Sequence, residues 1–79
     1  MKARVHVVLK PGVLDVEGKA IEGALHGLGF GSVHDVRVGK IIEFDLEDGD
    51  PAKAEADVRQ MCERLLANTV IQSYRVELA

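Results

Sequence analysis

Val33-His34-Asp35-Val36-Arg37-Val38-Gly39-Lys40-Ile41-Ile42-Glu43-Phe44-Asp45-Leu46 is the stretch whose reading decides the fold. Taken in steps of two, His34, Val36, Val38, Lys40, Ile42, Phe44 and Leu46 form a mostly apolar set. Val33, Asp35, Arg37, Gly39, Ile41, Glu43 and Asp45 form a mostly polar one. That alternation predicts a half-buried strand, because successive side chains leave a strand on opposite faces. The alternative is a hairpin turning at Gly39-Lys40. A two-residue loop there pairs Val38 with Ile41 and Val36 with Glu43, and neither face is then clean. A three-residue loop restores the phase, but the commonest such loop has its glycine last, and here Gly39 falls first or in the middle. One long strand is therefore expected, bent at Gly39, where the missing side chain permits a bulge or a close approach. Fourteen residues of strand reach ~46 Å, whereas a compact globule of this length is about 30 Å across. Half of such a strand has no sheet of its own chain to lie in, so its apolar face calls for another subunit.

The totals agree with a small, assembling protein. A chain of 79 residues is one domain, 1–79, of a size at which self-association commonly completes burial. A hydrophobic content of 47% with 29% charged residues is ordinary for a soluble globular protein. The formal net charge of -3 argues against a nucleic-acid binder. No apolar run has the length of a membrane span, and Met1-Lys2-Ala3-Arg4 opens into an alternating strand instead of a secretory signal. The single cysteine, Cys62, forbids an internal disulfide and points to a reducing compartment, so a cytoplasmic location is expected.

Around the central stretch, the first strand is expected over 3–9, with Ala3, Val5, Val7 and Leu9 on one face. Lys10-Pro11-Gly12 reads as a turn, and Asp15 as the cap of a helix over 16–28 that Gly29 ends. The inward stripe of that helix is Val16, Ala20, Ile21, Ala24, Leu25 and Leu28, with Lys19, Glu22 and His26 opposite. Gly23 and Gly27, four apart, are either a groove for close approach of another helix or tolerated surface glycines. The glycines of 27–31 close a helix and do not join a strand to one, so they do not form a phosphate loop. Asp50 and Pro51 start a second helix running to about Ala67, with Ala54, Val58, Met61, Cys62, Leu65 and Leu66 inward. Asn68 is expected as a left-handed stop before a last strand over 70–78. The order β-α-β(long)-α-β predicts an α+β fold, two helices on one face of an antiparallel sheet. A folded-back middle strand would make it β-α-β-β-α-β, ferredoxin-like.

Little in this pattern carries chemistry. Cys62 lies in an apolar stripe, where burial raises a thiol's pKa and leaves it inert. His6, His26 and His34 sit on three elements with no metal-binding spacing, and His6 and His26 are expected to be exposed. Asp45, Glu47, Asp48 and Asp50 crowd one turn without the rhythm of a calcium loop. Phe30, Phe44 and Tyr74 are too few for a base-stacking platform. No nucleophile is matched to a base. The residues describe a binding or assembly module.

Three stretches together resemble one family. They are Leu9-Lys10-Pro11-Gly12-Val13-Leu14-Asp15 with Gly18-Lys19-Ala20; Val36-Arg37-Val38-Gly39-Lys40; and Met61 to Ile71 with Tyr74. They resemble PurS, the small subunit of bacterial and archaeal phosphoribosylformylglycinamidine (FGAM) synthase, over nearly the whole chain. One departure is visible: the family usually has proline and glutamine after the Leu-Asp pair, where this chain has Val16 and Glu17. The resemblance implies a place in purine biosynthesis, in a complex that uses ATP and glutamine to turn formylglycinamide ribonucleotide into formylglycinamidine ribonucleotide. It implies no catalytic residue, cofactor or metal in this chain; ATP and Mg belong to the large synthetase subunit, and a glutaminase subunit releases ammonia. The small subunit is then a homodimeric bridge between the two, with a tetramer left open. The partner-facing positions this implies are Lys10, Pro11, Gly12 and Asp15 at the first turn, Arg37, Gly39 and Lys40 on the long strand, and Asn68 and Thr69 after the second helix. The rival reading is a stand-alone ferredoxin-like regulatory domain that binds a small ligand between subunits.

Overall fold

The computed structural model describes every residue except Asp48, so that member of the acidic turn lies outside the described residues. The elements are β1 (Lys2–Leu9), α1 (Val16–Gly27), β2 (Gly39–Asp45), α2 (Pro51–Met61), a π-helical turn (Cys62–Leu66) and β3 (Gln72–Leu78). The architecture is the α+β one expected: two helices with a three-stranded antiparallel sheet. Its strand order is β2-β1-β3, with β1 in the centre.

Alternation decides which side of the sheet is buried. Ala3 lies opposite Phe44 and Leu78, and Val5 opposite Ile42 and Val76. Ala3, Val5 and Val7 are buried, and α2 with the π turn lays Val58 and Cys62 on them. Ile42, Phe44, Leu66, Tyr74, Val76 and Leu78 surround that core, each partly buried. The other face alternates charge across the strands, with Arg4 in register between Glu43 and Glu77. His6, on this face, is half-buried and not exposed as expected, because Glu77 lies 3.1 Å from its Nε2.

The long central strand is shorter than its alternation predicts. It begins at Gly39, and residues 33–38 carry no strand. The reason is the length of β1: Val8 opposite Gly39 is the last pair, and the chain leaves the sheet at Lys10. Asp35, at φ +59°, also breaks the extended run. There is no hairpin at Gly39-Lys40, since both residues continue the register with Val8 and Val7. Gly39 marks a close approach, as expected: a Cβ there would lie 2.8 Å from the Val7 carbonyl oxygen.

The molecule measures 49 × 24 × 14 Å with a radius of gyration of 16.0 Å, against about 12 Å for a compact chain of this size. The excess is α1 and its flanks. The stripe expected to face inward is largely open: Val16 is 71% and Leu28 73% exposed, Ala20, Ile21 and Ala24 are exposed, and Leu25 is half-buried. It is open because α1 is tied to the chain by its polar side, through Asp15, Glu22 and His26.

The second helix also ends differently. Asp50 caps it through the Ala52 amide at 3.0 Å, and Pro51 opens it, as expected. After Met61 the helix widens into the π turn, which advances the phase more slowly than an α-helix. Leu66 is therefore half-buried and Ala67 buried, while Leu65, expected inside, is 82% exposed. Asn68 is not the left-handed stop: among described non-glycine residues only Asp35 has a positive φ. Ala67 instead leaves the helix extended, and the Asn68 side chain accepts the Val70 amide at 3.2 Å. The last strand accordingly starts at Gln72, two residues later than expected.

Candidate functional site

The family-like stretches meet at one end of the sheet. Lys10 leaves β1 and opens a turn closed by the Val13 amide on the Lys10 carbonyl at 3.1 Å. Pro11 in second place and Gly12 at φ +87° in third place suit a type II turn. The Arg37 guanidinium spans this turn: Nη2 donates to the Lys10 carbonyl at 3.2 Å and Nη1 to the Val13 carbonyl at 3.1 Å. The Lys10 ammonium donates to the Thr69 carbonyl at 2.7 Å, and the Lys10 amide to the Ile71 carbonyl at 2.9 Å. Asn68 holds the last of these loops, its carbonyl accepting the amides of Ile71 and Gln72 and its amide donating to the Gln72 side chain. Lys10, Pro11, Gly12, Arg37, Asn68 and Thr69 thus form one cluster, although Lys10 and Thr69 stand 59 positions apart in the sequence.

Asp15 joins this cluster to α1 and β2. It is 5% exposed and accepts the Gly18 amide on Oδ1 and the Val38 amide on Oδ2, each at 2.7 Å. Those amides, Val38 first, hold its carboxyl below the ordinary value; burial opposes them, and the Arg37 charge adds to them. Beside it, Lys40 is exposed at a cleft of about 260 Å³ lined by Leu9, Glu17, Val38 and Gln72. Gly39 forms part of the same wall.

Sequence reasoning missed the polar side of α1. Glu22, placed opposite the inward stripe, is half-buried and accepts the Val36 amide at 3.2 Å. That amide, ahead of any charge nearby, lowers the Glu22 pKa, and burial works against it. His26 Nε2 lies 2.6 Å from the Val33 carbonyl, which requires the ring to donate from Nε2. Gly18 is pressed so closely to the Val36 carbonyl that it leaves no room for a Cβ. Asp15, Gly18, Glu22 and His26 are spaced three, four and four apart, the period of one helix face. That spacing was the signal available in the sequence, and the apolar stripe beside it drew the reading away.

Elsewhere, Cys62 is buried with its thiol pushed up chiefly by that burial. Among the described residues no three His, Cys, Asp or Glu side chains come together as a metal site. What the cluster does is fix shape: side chains from distant loops satisfy backbone groups and hold three loops as one surface.

The family model for PurS, phosphoribosylformylglycinamidine (FGAM) synthase, matches residues 2–79. Phosphoribosylformylglycinamidine synthase subunit PurS of Bacillus subtilis is 47% identical over 77 residues, covering 98% of this chain and 90% of that one. The PurS subunit of Methanocaldococcus jannaschii is 42% identical over 77 residues, covering 98% and 93%. In three dimensions, a crystal structure of B. subtilis PurS superposes with a TM-score of 0.87 at 47% identity, over 96% of this chain and 94% of that one. A chain in the structure of PurLQS from Thermotoga maritima also superposes at 0.87, at 33% identity, over 96% and 93%. Sequence and fold agree over almost the full length, and this chain belongs to the PurS family of FGAM synthase subunits.

Proposed function

We propose that this chain is the non-catalytic bridge of an FGAM synthase complex in the cytoplasm, working as a homodimer. It holds a glutaminase subunit against a large synthetase subunit on which ATP and Mg are used. The observation that carries this is the open half of the molecule. Val16, Ile21 and Leu28 stand exposed on an α1 that reaches beyond the sheet, on a chain 49 Å long. An apolar surface of that kind on a small domain is accounted for by association. The Thermotoga maritima relative in a PurLQS structure supports the larger assembly, and the relatives' names do not favour a stand-alone ligand-binding domain.

Such a bridge has a physical task. Ammonia released into solvent is diluted and protonated, so two active sites that exchange it gain from being held together. Lys10, Pro11, Gly12, Asp15, Arg37, Gly39, Lys40, Asn68 and Thr69 are the proposed partner-facing set. Within it the work divides. Arg37, Asp15 and Asn68 spend their polar groups on the chain's own backbone and set the shape of the surface. Lys40, exposed at the cleft, is the side chain placed to reach a partner.

Light scattering on the purified chain, then titration with the two partner subunits, tests the reading. A dimer that captures both partners is expected, with Lys40→Ala weakening capture and Arg37→Ala weakening it while also loosening the Lys10–Val13 turn. A monomer, or undiminished capture by both variants, removes the dimer or these residues from the proposal.

A further inference from the structure

Of the ten Lys and Arg side chains, Lys2, Arg4, Lys19, Lys53, Arg59 and Arg75 each lie within 3.9 Å of a carboxylate. Lys10, Arg37, Lys40 and Arg64 have no carboxylate at ion-pair distance among the described residues, although the net charge is -3. Lys10 and Arg37 donate to backbone carbonyls, which aims their charges without neutralising them. The acids at this end are engaged or apart. Asp15 accepts two amides, Glu63 accepts the Tyr74 hydroxyl, and Glu17 and Asp35 line clefts beside α1. The acidic surplus lies at the opposite end of the sheet, at Asp45, Glu47 and Asp50, from the Lys2–Asp45 pair onward. The chain is thus polarised, with uncompensated cations on the turns at one end.

An apolar tip belongs to the same end. In an α-helix Leu65 and Leu66, three and four residues after Cys62, share its buried face. The π turn instead bonds the Ala67 amide to the Cys62 carbonyl at 3.1 Å, leaving Ala67 7% and Leu65 82% exposed. That trade gives up the burial of an isobutyl group for that of a methyl, in a rare form of helix that is frequent at functional sites. Val70, 81% exposed, follows five residues later with its amide on the Asn68 side chain, and the Lys10 ammonium holds the same loop at the Thr69 carbonyl. Arg64, exposed, immediately precedes Leu65.

We propose that the π turn presents Leu65, together with Arg64 and the Lys10–Thr69 loop, to a different protein subunit that offers an apolar pocket with an acidic rim. This rests on the bridging reading above and adds to it a surface and the chemistry of what meets it. A second copy does not fit. A two-fold contact would set this cationic patch against itself, and joining it to the acidic end of another copy is head-to-tail, which does not close as a dimer. Nucleic acid does not fit either, since a phosphate backbone takes the cations and leaves Leu65 and Val70 in water.

Titration of the full chain with the purified glutaminase and synthetase subunits, separately and together, at low and high salt, tests this. Leu65→Ala and Arg64→Ala are each expected to weaken binding of one of the two subunits about tenfold or more, the effect of truncating an interface anchor. Arg64→Ala should also flatten the salt dependence of that binding, and Arg64→Lys should recover most of the loss. The urea midpoint and the mass by light scattering should not change, because Leu65 stands outside the chain's own core. A Leu65→Ala protein that is markedly less stable, or of altered mass, puts Leu65 in the core or between copies and overturns the proposal. Undiminished binding of both subunits by the Arg64→Ala, Leu65→Ala double variant also overturns it, and leaves the bridge standing without this surface. A parent chain that binds neither subunit sinks the bridge itself, and this surface with it.

Discussion

The Asp15 carboxylate accepts the Val38 amide at 2.7 Å across 23 positions of sequence, and so fixes the entry of α1 to the entry of β2. Its other oxygen takes the Gly18 amide. Asparagine supplies one acceptor but turns its NH2 toward the second amide, where two donors then face each other. Asp15→Asn is expected to lower the melting temperature by several degrees and Asp15→Ala by more, with α1 loosened from the sheet in both. Melting curves of the three proteins check it; an Asp15→Asn protein as stable as the parent excludes the two-amide clamp as a source of stability.

Most of the fold was legible in the sequence because its causes are local. Alternation placed β1 and β3, Asp15 and Asp50 announced their helices, and Gly39 marked a close approach. Two of the misses lie where β1 and the core end. The alternation of 33–38 is genuine, but β1 stops at Leu9, so in one copy those residues form no strand. The α1 stripe of Val16, Ile21 and Leu28 is genuine too, and nothing in the chain's own core covers it. The π turn at Cys62–Leu66, which turns Leu65 outward, has no propensity signal. The converging site is legible only in part, since no spacing reveals that Arg37 reaches the carbonyls of Lys10 and Val13.

Acid should release α1 before it melts the sheet. Glu22 and Asp15 have folded pKa values below their ordinary ones, because the amides of Val36 and of Val38 and Gly18 stabilise the charged forms. A lowered folded value means the contribution is fully present above the unfolded pKa, about 4 for a carboxyl, and is lost as pH falls through the folded value. Urea midpoints at neutral pH and near pH 3 should therefore differ less for an Asp15→Asn, Glu22→Gln double variant than for the parent. Equal pH slopes in the two proteins would show that these carboxyls are not linked to folding.

Cys62 should behave as a core residue. It is fully buried against Val5, Val7 and Val58, and burial raises its thiol pKa, so the thiolate is scarce and shielded. A thiol reagent at neutral pH is expected to label it no faster than the chain opens, and promptly in denaturant. Fast labelling of the native protein would place the sulfur at the surface. Cys62→Ala removes the sulfur from a packed site and is expected to cost about 1–3 kcal/mol, measured by denaturant unfolding.

The glycines of α1 separate a structural requirement from a tolerated one. A Cβ on Gly18 would meet the Val36 carbonyl and lie 2.9 Å from the carboxyl carbon of Asp15, the acceptor of the two-amide clamp. Alanine there gains helix propensity of ~0.5–1 kcal/mol but forces the helix off segment 33–38, an overpacking cost of about 1–3 kcal/mol. Gly18→Ala is therefore expected to be destabilising on balance. Gly23 has nothing within 4 Å of its added Cβ, so Gly23→Ala keeps the propensity gain and should raise stability. Association decides between the two readings of Gly23 and Gly27. If a second copy packs closely over them, Gly23→Ala weakens the dimer by light scattering even as the single chain gains stability. If they are surface positions, dimerisation is unchanged. A Gly18→Ala protein more stable than its parent would show that α1 is not held against Val36, and would remove the close approach from which the position of the whole helix is argued.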